Sequence, residues 1–82
     1  MRNIFKYPVS EQFALELPIS AQVLSVQTQG GQAQMWVMFE QNDPTVLRRF
    51  RTRVTGAPFE EATGRYIATF QVGWFVGHLF EV

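Results

Sequence analysis

The sequence predicts an all-β domain, a small antiparallel meander of six to seven strands forming a sandwich or partly open barrel. Three observations predict it. Apolar residues recur with period two almost throughout, turn-forming clusters separate the runs, and no segment of helix length shows the i, i+3, i+4 spacing of an amphipathic helix.

The first run, Asn3 to Tyr7, sets Phe5 and Tyr7 against Ile4 and Lys6 and stops at Pro8, which cannot donate to a ladder. Phe13-Ala14-Leu15-Glu16-Leu17 alternates again and stops at Pro18. Val23 to Thr28 is β-branched and alternating, and Gln32 to Glu40 resumes after Gly30-Gly31. Two β-type runs joined by Gly-Gly predict a hairpin, because primed turns need positive φ at their centre. Gln41 to Thr45, with Asn42, Asp43 and Pro44, reads as a turn. Leu47 to Val54 is then a strand with Phe50, Thr52 and Val54 on one face and Arg49, Arg51 and Arg53 on the other. A loop follows from Gly56 to Gly64, in which Phe59-Glu60-Glu61-Ala62 has the composition of one helical turn. Arg65 to Val72 and Phe75 to Val82 are the last two runs, joined at Gly73-Trp74 into a second predicted hairpin.

Length and composition bound the function. With 82 residues there is room for one core, so residues 1–82 read as a single domain. A hydrophobic fraction of 46% is too high for a disordered chain. Six Arg and one Lys balance seven acids, so the net charge is zero. That balance argues against a coat for bulk duplex DNA, whose binding requires a large positive excess. Cysteine is absent, which excludes disulfides, thiolate metal sites and a cysteine nucleophile. No apolar run approaches a membrane span, and Met1 to Tyr7 lacks the apolar stretch of a secretory signal, so the expectation is a cytoplasmic protein with no membrane partner. The closing run, Val76 to Val82, is apolar and nearly uncharged. A terminal strand of that kind is either central in its sheet or paired with another subunit, and a homo-oligomer is expected.

Catalytic signatures are missing. His78 is the sole histidine, no serine sits in a Gly-x-Ser-x-Gly elbow, and no phosphate loop or dinucleotide fingerprint occurs. Adjacent Glu60 and Glu61 point to different sides of any regular element and make a poor acid/base pair. The expectation is therefore a protein that is not an enzyme, with no metal and no cofactor.

Candidate binding residues remain. Arg48-Arg49-Phe50-Arg51-Thr52-Arg53 gathers four of the seven basic residues into six positions. On a strand, Arg49, Arg51 and Arg53 stand about 6.6 Å apart along one face. That spacing suits successive phosphates or carboxylates, which the planar guanidinium grips with two hydrogen bonds. It equally suits a solvated outer face laced to neighbouring Glu or Gln, or an edge charged against aggregation. Trp36 shares a face with Met38, opposite Met35, Val37 and Phe39. The latter set is expected inside, leaving Trp36 either on an outward interface or in a doubly buried corner. Trp74, at a hairpin tip, is expected to dock a partner or ligand. His78 is expected as a neutral imidazole in or near the core with one nitrogen bonded to a backbone group, the alternative being a ligand-contacting donor on an open sheet face.

Several blocks together carry a resemblance. Phe5-Lys6-Tyr7-Pro8, Leu24-Ser25-Val26-Gln27 with the Gln-flanked Gly turn and Trp36, Thr55-Gly56-Ala57-Pro58, Tyr66 to Gln71 and Phe75 to Glu81 are similar to an uncharacterised family of small proteins from tailed phages, prophages and plasmids. The similarity covers almost the whole chain, though each block is short and none is chemical. In that family a larger, often aromatic residue is expected where Gly77 stands, a departure that bears on any shared role of His78. The resemblance implies an accessory gene of mobile elements, and such genes often encode inhibitors of host immunity.

Together these readings yield an expected function. It is a non-enzymatic β-protein, acting in the host cell cytoplasm if phage-encoded, that binds a host defence protein or sequesters a small anionic nucleotide signal. Two alternatives stand beside it: a structural or assembly protein of the virion, and a binder of single-stranded nucleic acid with aromatic side chains as stacking platforms.

Overall fold

The computed structural model describes residues 1–60 and 64–82. Seven antiparallel strands build it: β1 Arg2–Pro8, β2 Gln12–Pro18, β3 Gln22–Gln29, β4 Gln32–Glu40, β5 Thr45–Val54, β6 Arg65–Val72 and β7 Phe75–Glu81. They form a three-stranded sheet in the order β1-β4-β3 and a four-stranded sheet in the order β2-β5-β7-β6. The shortest dimension of the Cα trace is 15 Å, as two layers about 10 Å apart require. The all-β class is borne out, and the sheets do not close into a barrel.

Connectivity corrects the expected meander. Only β3–β4 and β6–β7 are hairpins of consecutive strands; β1 pairs with β4, β2 with β5 and β5 with β7. The cause lies between the strands. Pro8 and Pro18 occupy the last paired positions of β1 and β2, and both are edge strands, where a missing N–H costs least. After Pro8 the chain crosses between sheets. Val9 N–H donates to the Ala33 carbonyl of one sheet, and the Glu11 carbonyl accepts from Thr52 N–H of the other.

Both predicted hairpins form. Gly30 and Gly31 have φ of 58° and 79°, the two positive values of a type I′ turn. At the second hairpin Gly73 alone is positive, at 59°, so Trp74 occupies the ordinary second position of a II′-like turn. The apolar closing strand is central, held between β5 and β7's hairpin partner β6. Of the two places read for it from the sequence, the one inside its own sheet is therefore the one it takes. The helical turn expected over Phe59–Ala62 is absent at Phe59 and Glu60, while Glu61 and Ala62 lie outside the described residues. Among the described residues no helix is long and apolar enough to cross a membrane.

Between the sheets Leu17, Met35, Val37, Phe50 and Leu79 are fully enclosed, with Val9, Val26, Ala33, Phe39 and Phe70 around them. Met35, Val37 and Phe39 are the buried face of β4, as its alternation predicts. Alternation fails in β3, where a bulge between Val23 and Ser25 shifts the register. Val23 and Val26, three residues apart, both turn inward as a result.

Gly77 is buried in β7 beneath two rings. A Cβ there would approach Phe70 Cζ to 2.7 Å and Phe75 Cε1 to 2.9 Å. Rigid rings cannot bend away, so Gly77→Ala is expected to destabilise the fold by about 1–2 kcal/mol through overpacking. Thermal unfolding would register this as a fall of roughly 5–15 °C for a domain this small. An unchanged midpoint would show that the rings reposition freely.

Candidate functional site

The strongest constellation lies on the outward face of the four-stranded sheet. Phe50 points into the core with no exposure, so its neighbours Arg49 and Arg51, and Arg53 beyond, point out. Arg49 and Arg51 are exposed and Arg53 is half-buried. Ladder register sets Arg51 beside Phe80 and Arg53 beside His78 on β7, and β7 in turn sets Phe80 beside Tyr66 and His78 beside Thr69 on β6. Arginines, aromatics, hydroxyls and the sole imidazole therefore share one face.

How the cations are neutralised separates this row from the other arginines. Arg48, one position before the row and on the inner side, gives Nε and Nη2 to the two carboxylate oxygens of Glu81 at 2.7 and 2.8 Å, and Nη1 to the Ala21 carbonyl. Glu81 also accepts from Arg65 at 2.9 Å, and Arg2 lies 3.6 Å from Glu40. These hydrogen bonds, Arg48's above all, hold the Glu81 carboxyl below its ordinary range, and the same pairing raises Arg48. Among the described residues, Arg49, Arg51 and Arg53 form no ion pair.

Arg53 is the most constrained of the three. Its guanidinium carbon lies 5.1 Å from the centre of the Phe59 ring, a cation–π arrangement. Its Nε is shut off from solvent with no hydrogen-bond partner among the described residues. Arg51, Arg53, Pro58 and Phe59 line a hollow of about 170 Å³, with Glu11 at its border but in no ion pair with either arginine. Phe59 continues into an aromatic pad, 5.6 Å from Phe80, which lies 5.7 Å from Tyr66.

His78 departs from its expected place in or near the core. It is half-buried on the outward face, and threonine hydroxyls rather than a backbone group meet its ring: Thr55 Oγ1 lies 2.6 Å from Nε2 and Thr69 Oγ1 lies 2.8 Å from Nδ1. Thr69 Oγ1 is also 2.7 Å from the Tyr66 hydroxyl. Tyr66 and Thr69 share a face despite their odd spacing because a bulge between Tyr66 and Ala68 inserts one residue. Period-two reading misses that pair. It also misses Phe59, which reaches the sheet only because the loop after β5 folds back.

The two tryptophans stand apart from this face. Trp36 is half-buried on the outer face of the three-stranded sheet, where β1 places Lys6 opposite it and Ile4 opposite Met38. Trp74 is 92% exposed at its hairpin tip. A second, more apolar cleft of about 430 Å³ opens between the sheets at that end, lined by Val9, Ala33, Val54, Phe70, Val72 and Phe75 among others. Nothing in the chain's alternation announces it, since it arises where the two sheets diverge. Among the described residues no three His, Cys, Asp or Glu side chains gather as a metal site.

Fold and face define a class: a small open two-sheet β-protein that presents, beside aromatic rings, arginines with no ion pair among the described residues. The chain belongs to the family described as Domain of unknown function (DUF7352), which matches residues 1–82. No curated protein and no solved structure matches it.

Proposed function

We propose that the protein is a non-enzymatic binding protein that captures a small anionic ligand of the nucleotide class on the outward face of its four-stranded sheet. One observation carries this reading: Glu40 and Glu81 pair with Arg2, Arg48 and Arg65, while Arg49, Arg51 and Arg53 form no ion pair among the described residues. Arg51 and Arg53 meet phosphate oxygens through the terminal nitrogens of their guanidinium groups. The Phe59–Phe80–Tyr66 pad takes the base, and His78 with its hydroxyls meets sugar or phosphate. Resemblance to phage, prophage and plasmid proteins supplies the setting, in which sequestering a nucleotide signal in the host cytoplasm counters host defence.

A thermal-shift panel of inorganic phosphate and linear and cyclic nucleotides tests this. At ligand concentrations about tenfold above Kd, a midpoint rise of roughly 5–10 °C is expected with at least one nucleotide. The rise is expected to vanish in Arg51→Ala and Arg53→Ala. No response across the panel at millimolar ligand would exclude the nucleotide reading. The aromatic pad beside a cationic row also favours single-stranded nucleic acid as a second reading. Affinity for an oligonucleotide that falls steeply with salt, without any mononucleotide response, would select it.

A further inference from the structure

The apolar cleft and the exposed indole belong to the same end of the molecule. Val72 and Phe75, which line the cleft, are the residues that flank the Gly73–Trp74 turn. We infer that two copies of this chain associate end to end about a two-fold axis, each placing Trp74 in the cleft of the other. A two-fold contact must be self-complementary, with projection and recess on one patch. Here they lie within a single hairpin.

The chemistry of the recess suits an indole. Its walls are mainly aliphatic and aromatic, and Glu11 is the sole ionisable residue among those lining it. A docked tryptophan needs an acceptor for its N–H, and Glu11 at the rim supplies one together with Ser10 and Gln32. The cleft volume of about 430 Å³ falls in the range of sites that hold a ring system.

Area sets the expected strength. Two indoles and the walls that receive them bury roughly 600–800 Å² in all, short of the 1,200 Å² or so at which stable interfaces begin. The dimer is therefore weak and concentration-dependent, with a dissociation constant of roughly 10–500 µM. Arg49, Arg51, Arg53 and His78 do not line this cleft, so the arginine face stays open in the dimer, although Glu11, Thr52 and Val54 border both the cleft and the Arg51–Arg53 hollow. Arg51→Ala and Arg53→Ala, which test the nucleotide reading, leave the cleft lining intact.

Sedimentation velocity across a range reaching about 1 mM tests it. The wild-type chain is expected to move from monomer to dimer, and Trp74→Ser to remain monomeric throughout. Val54→Glu alters the opposite half of the contact, placing a carboxylate in the cleft at a position that is 44% exposed and tolerant of charge. It too is expected to be monomeric. A wild-type chain that stays monomeric at the highest concentration overturns the inference, as does a dimer that Trp74→Ser leaves unchanged. An apolar dye bound by a monomeric wild type and lost in Val54→Glu would instead assign the cleft to a small apolar molecule.

Discussion

Phe50→Ala is expected to bring the protein close to unfolding at ordinary temperature. Phe50 is wholly enclosed at the middle of β5, between β2 and β7, and its ring stacks on Phe13 at 5.0 Å with an interplanar angle of 16°. Arg48 lies over the same ring at 5.9 Å, so one side chain supports both the core and the ion pair above it. Removing a buried phenyl group costs about 3–5 kcal/mol in lost transfer energy and residual cavity. An 82-residue domain has only about 4–12 kcal/mol in total. A midpoint lowered by roughly 15–30 °C in thermal unfolding would fit, and Phe50→Leu, closer in volume, should recover more than half of the loss. A cost below about 1 kcal/mol would mean that the two sheets collapse onto the gap, against the packing described above.

Glu81→Gln is the second large effect, and it carries a pH signature. Glu81 is the shared partner of Arg48 and Arg65, and it and Arg48 are only 20% and 14% exposed. Neutralising it leaves the enclosed Arg48 guanidinium without a counter-charge, which lies between the small value of surface pairs and the 3–5 kcal/mol of buried ones, at about 1–3 kcal/mol. The folded carboxyl sits below its ordinary value of 4.5. Its contribution is therefore complete above that pH and is lost as the pH falls through the lower folded value. The stability gap between wild type and Glu81→Gln should accordingly be widest near neutrality and narrow progressively below about pH 4.5. Denaturant titrations at pH 7, 4 and 3 would show it. A gap independent of pH would mean that the charge of Glu81 contributes nothing and the variant acts through shape alone.

Period-two patterning made much of this protein legible in advance. The seven strands, both glycine hairpins, the inward set of Met35, Val37 and Phe39, and the common outward direction of Arg49, Arg51 and Arg53 all follow from side chains alternating across a pleated backbone. Alternation is a local property, so it is written residue by residue along the chain.

Other features depend on contacts between distant residues. Strand order is one: a reading of consecutive runs yields a meander, whereas crossings after β1, β2 and β4 divide the strands between two sheets. Neutralisation is another, because Arg48 and Arg65 meet Glu81 from other strands while Arg51, just three positions past Arg48, meets no described carboxylate. The threonine partners of His78, the return of Phe59 to Phe80 and the cleft beside Trp74 likewise join residues far apart in sequence. Local spacing tells a side chain which way to point; which group waits there is set by how the sheets pair and pack.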